Sequence, residues 1–119
     1  MDRTWYTGNA DDDAGENRSW LVGHFKDPSD IRHSKDTEVK WSTHPQGDAR
    51  HDWNPGNHDG TVLILVSGRW QLDLRTDGHL ETVVLERPGD YAVWGRGVDH
   101  TWEALADSIM VTVRWPSLT

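Results

Sequence analysis

The sequence predicts an all-β domain, a sandwich or a barrel. Short apolar, β-branched runs are separated by turn residues at intervals of roughly eight to twelve residues, the spacing of such folds. No segment carries a helical period. At 119 residues the chain is long enough for one core and too short for two.

Residues 1–18 are polar and include Asp11-Asp12-Asp13. They have little to bury and are expected to be a flexible tail, with a single barrel domain over 19–119. Trp20–Phe25 reads as a strand ended by Asp27-Pro28-Ser29-Asp30, and Val39–His44 as a second. Pro45-Gln46-Gly47-Asp48 is a turn, Ala49–Trp53 a short strand and Asn54–Gly60 a loop. Thr61–Ser67 is apolar without alternation, so both of its faces need cover. Gly68 interrupts it, and Trp70, Leu72 and Leu74 then alternate with polar residues as in a half-buried strand. Thr76-Asp77-Gly78 signals a hairpin that returns through Leu80–Glu86. Pro88-Gly89-Asp90 turns the chain into Tyr91–Trp94. Gly95 and Gly97 turn it into His100–Ala104, and Ile109–Trp115 closes the series.

Composition excludes several function classes. There is no cysteine, so disulfides, thiolate catalysis and zinc-thiolate sites are absent. The net charge of −8 opposes nucleic-acid binding, and no apolar run suits a membrane span. Met1–Trp5 lacks the basic and apolar regions of a secretory signal, so a cytoplasmic protein is expected. Neither a Walker sequence nor a dinucleotide-binding glycine pattern occurs, and no serine has a hydrolase elbow context. Eight tryptophans point to core and interface packing, or to an aromatic-walled pocket.

Residues 88–100 carry the most specific signal. Gly89, Gly97 and His100 fall at the offsets of G-x5-P-x-G-x2-H-x3-N, with Gly95 at the proline position and Ala104 at the asparagine position. This resembles the second motif of the cupin superfamily. The first motif, G-x5-H-x-H-x3-4-E-x6-G, is matched only as a glycine frame by Gly47 and Gly68. Trp53, Pro55 and Thr61 stand where the histidines and the glutamate belong. The resemblance covers residues 39–115. It implies a double-stranded β-helix, or jelly-roll barrel, with His100 inside. In the family that histidine is usually a metal ligand.

His51 lies two residues before Trp53, so an extended segment points both to one face, which by the family geometry is the barrel interior. Arg50 then faces away by alternation, although an irregular strand would let it reach a carboxylate ligand. His100 and Trp102 share a face, inward under the motif. His51, His58 and His100, with His44, are the candidates for a rebuilt metal site for iron, manganese, nickel, copper or zinc. Otherwise these histidines are hydrogen-bonding or core residues. Asp99 and His100 are adjacent strand residues, which disfavours a dyad.

Three functions remain open. The first is a barrel binding a small organic molecule through its tryptophans and His100 without an essential metal, with Trp53, Trp102, His51, Arg50 and His44 as the binding residues. The second is a metal-dependent dioxygenase, isomerase or cyclase using noncanonical histidines. The third is a metal-free acid–base enzyme using His100. The two-sided apolar strand Val62–Val66 further predicts a homodimer.

Overall fold

The computed structural model describes residues 4–15 and 17–118. Nine strands follow one another: β1 (Trp20–Val22), β2 (Glu38–His44), β3 (Ala49–Asn54), β4 (Gly60–Ser67), β5 (Trp70–Thr76), β6 (His79–Leu85), β7 (Tyr91–Gly95), β8 (Asp99–Ala104) and β9 (Ser108–Trp115). They form two sheets, ordered β1-β2-β9-β4-β7 and β3-β8-β5-β6, with every strand pairing antiparallel. Apart from the neighbours β1-β2 and β5-β6, consecutive strands cross between the sheets, which is jelly-roll topology. The boundaries lie close to those read from turn chemistry. The four glycines of the motif frame, Gly47, Gly68, Gly89 and Gly97, all hold φ between +83° and +104°. That region favours glycine because it has no Cβ.

A further element lies in the stretch assigned to a polar tail. Asn9 caps the four-residue helix α1 (Ala10–Asp13), its Oδ1 accepting from the Asp11 and Asp12 amides. Asp11 accepts a 2.8 Å bond from Trp41 Nε1, and the Arg32 guanidinium lies 4.2 Å over the Tyr6 ring. This segment therefore contacts the outer face of the five-stranded sheet at Trp41 of β2. Among the described residues no helix is long and apolar enough to cross a membrane.

The barrel interior changes character along its length. Leu65, Trp70, Leu72, Leu85, Ala104 and Met110 close one end as a buried core, which Leu63 and Trp94 extend. Leu65 opposes Met110, Trp70 opposes both Leu85 and Ala104, and Leu72 opposes Trp102. Each fully buried leucine contributes about 1.5–3 kcal/mol. Toward the other end the inward positions become polar. On β2 they are Glu38, Lys40, Ser42 and His44. On β9 they are Thr112 and Arg114, and on β8 His100. The apolar residues of β2 and β9 (Val39, Trp41, Ile109, Val111 and Val113) take the opposite face, beside Val62 and Ile64 of β4.

Candidate ligand site in the barrel interior

The polar end encloses a cavity of about 120 Å³ whose lining includes Lys40, Ser42, His44, Arg50, Asn54, Trp70, Trp102 and Arg114. A second lobe of about 170 Å³ lies under the loop at residues 55–58. The two lobes share Asn54, Trp94, His100 and Arg114. The loop is pinned over the barrel by a bond from the Gly97 amide to the Gly56 carbonyl, and by Arg96, which reaches Asp59 and the Asn57 carbonyl.

His100 stands where the lobes meet, 7% exposed. Its ring lies 4.8 Å from that of Trp94, and its Nε2 faces Asn54 Nδ2 at 3.2 Å. An amide N–H can only donate, so this bond makes Nε2 the acceptor and places the ring proton on Nδ1. Nδ1 is buried without a partner, as are the indole Nε1 atoms of Trp70 and Trp94. Burial pushes the His100 pKa down to about 4, and the guanidinium groups of Arg114 and Arg50 push the same way. His100 is therefore neutral at pH 7, a donor and acceptor of hydrogen bonds rather than a cation.

Three cations project toward the same space. Arg114 is held 3.5 Å from Glu38, a buried carboxylate that also accepts a 2.9 Å bond from the Ser117 hydroxyl. His24 and His58 each approach Glu38 at 3.9 Å. Burial, and then the charges of Arg114 and Arg50, lower the Lys40 pKa, and burial lowers that of Arg114. The floor is aromatic. Trp70 and Trp102 stack at 4.6 Å, and His44 packs edge-on to both at 4.9 Å. His44 is fixed by Asp48 at 2.7 Å and Ser42 at 2.9 Å, so both of its nitrogens are occupied.

The inward set differs from the expected one on β3. Arg50 pairs with Trp102 and Asn54 with His100, so four positions on β3 span two on β8. This widened bulge aims Arg50 and Asn54 into the barrel. His51 is exposed, and Trp53 lies on the other face beneath the Arg75 guanidinium, 4.1 Å from its ring centre. Arg75 in turn pairs with Asp99 at 3.0 Å, which keeps Asp99 away from His100. His100, Trp102, His44 and Arg50 thus line the main cavity, and His58 lines the second lobe with His100. His51 and Trp53 join neither, and alternation misplaced them because it assumes an unbroken ladder. Asn54, Lys40, Trp94 and Arg114 were not singled out from sequence.

A metal of the kind cupins carry does not fit this donor set. Among the described residues no three histidine, aspartate or glutamate side chains are grouped to hold an ion. His51 is turned away, and three cationic side chains occupy the space an ion would share.

The two antiparallel sheets, the positive-φ glycine turns and the inward histidine define a cupin barrel, and the chain has the cupin fold. Solved structures agree. The Drosophila melanogaster CENP-C cupin domain superposes with a TM-score of 0.57 at 15% identity, over 64% of this chain and 59% of that one. The same protein bound to CAL1 gives 0.57 at 15%, over 64% and 63%. Hydroxypropylphosphonic acid epoxidase from S. wedmorenis gives 0.56 at 14%, over 67% and 44%, and the iron(II) form of HppE is also similar. The chain thus spans less than two thirds of these neighbours. No protein-family model and no curated protein matches the sequence.

Proposed function

We propose that this protein binds a small organic molecule inside its barrel, at the junction of the two lobes. One observation carries the reading. The buried polar atoms without partners among the described residues, Trp70 Nε1, Trp94 Nε1 and His100 Nδ1, all belong to side chains lining this cavity. Each such atom costs about 1–3 kcal/mol if left unmet, so a barrel selected for stability alone would replace them. The combined cavity is small for a ligand site, which suits a small metabolite.

The enzymatic alternatives have less support. An acid–base role for His100 needs a group that titrates near the working pH, and this one is held near 4. A metal-dependent role for His51, His58 and His100 needs ligands that converge. Cupin neighbours span both cases, since one is an iron(II) epoxidase and another a domain bound to CAL1.

The test is a panel of small neutral and charged fragments read by indole N–H resonances. Binding at this site moves the Trp70 and Trp94 signals together, and His100→Ala weakens it at least about tenfold. A panel that moves other indoles and leaves both of these in place overturns the reading.

We also infer a homodimer through the outer face of the five-stranded sheet. Val39, Trp41, Val62, Ile64, Val111 and Val113 form cross-strand neighbours there, with Tyr91 and Val93 exposed beside them. A monomeric mass by light scattering across the micromolar range would defeat this inference.

A further inference from the structure

The chain carries 20 acidic residues against 12 lysines and arginines, yet neither lobe of the cavity is lined by an aspartate or glutamate. Lys40, Arg50 and Arg114 all line the main lobe. Of these three, only Arg114 has an ion-pair partner among the described residues, the buried Glu38. The Lys40 ammonium lies 5.4 Å from the centre of the Trp20 ring. Lys40 and Arg114 are half-buried, while Arg50 lines the lobe from an exposed position; the like charges raise the energy of the empty barrel, because repulsion between the half-buried pair is poorly screened. The unpartnered atoms on the same walls are donors as well: two indole N–H groups and the Nδ1–H of His100. A space furnished with positive charge is complementary to an acceptor-rich, negatively charged guest.

Resting on the small-molecule reading above, we propose that the occupant is a small organic oxyanion, seated with its charged group among Lys40, Arg50 and Arg114. Guanidinium groups grip carboxylates and phosphates alike, so the shared chemistry is the planar or tetrahedral oxyanion head. The remainder of the ligand extends toward Trp94 and His100 in the second lobe.

The experiment compares acetate and benzoate with acetamide and benzamide, and with inorganic phosphate, at constant ionic strength. Binding is measured calorimetrically and its location by the Trp70 and Trp94 indole resonances. At least one anion is expected to bind at least about tenfold more tightly than its amide. Phosphate against carboxylate identifies the head group. Lys40→Met combined with Arg50→Gln should lower anion affinity at least about tenfold, while the ligand-free variant melts at or above wild type because repulsion is relieved. Arg87→Gln, in an exposed turn, should change neither property. Amides that bind as tightly as the anions, or a double variant with wild-type anion affinity, overturn the charge assignment and leave the small-molecule reading standing. Anions that bind without moving either indole signal overturn both. No response to any probe, with a double variant that melts below wild type, also overturns the proposal.

Discussion

Lowering the pH from about 7 to about 4 should destabilise this protein through His100 by an amount its burial sets. The ordinary pKa of 6.5 applies to the unfolded chain, and the folded value is about 4. Between those values the unfolded chain binds a proton that the folded chain refuses, so acid favours unfolding. The contribution is fully present above pH 6.5 and is lost as pH falls through the folded value near 4. The gap corresponds to about 3 kcal/mol. Discounting for solvent is small, because His100 is 7% exposed. The assay is urea denaturation of wild type and His100→Gln near pH 7 and near pH 4, with stability taken from the linear extrapolation. All other ionisable groups are common to both proteins, so the difference between their losses isolates His100. Wild type should lose about 3 kcal/mol more than the variant. Parallel losses, or a His100 resonance that titrates near its ordinary value, would refute the argument that burial keeps this ring neutral.

Asn54→Ala removes the donor that engages the neutral Nε2, so the His100 midpoint measured by NMR should rise toward its ordinary value. Arg114→Leu leaves Glu38 buried without its cation and should cost about 3–5 kcal/mol in denaturant unfolding, with Glu38→Gln in the same chain restoring part of it. Gly68→Ala drives a Cβ into the Asp107 carbonyl oxygen at φ +104°, so thermal melting should show a loss beyond the roughly 1 kcal/mol usual for strained backbone. Leu72→Ala, at a fully buried position, should cost about 2–5 kcal/mol by the same measurement.

Strand count and boundaries were legible because glycine, proline and aspartate act locally, as Thr76-Asp77-Gly78 does between β5 and β6. Facing was legible only where the interior is apolar. Trp70 and Leu72 alternate into the core as read. On β2 and β9 the usual rule is inverted, because Lys40 and Arg114 point inward while Val39 and Val113 point outward. A one-dimensional alternation cannot say which face is the inside when the inside is polar. His51 and Trp53 were misplaced by a different cause. The widened bulge on β3 depends on pairing with β8, a strand nearly fifty residues away in sequence. The contacts of residues 4–15 were likewise hidden, since a polar segment docked through Tyr6 and Asp11 looks in sequence like one without contacts.

The segregation of charge, acidic outside and basic within, also has a kinetic consequence. An anion approaching the barrel first meets the field of a body carrying a net charge of −8, which slows its encounter at low ionic strength. Salt shortens that field to about 10 Å at 0.1 M, but reaches the half-buried Lys40 and Arg114 far less. Added inert salt should therefore speed capture of an anion while changing its escape little, the reverse of the usual slowing when opposite charges steer a ligand home.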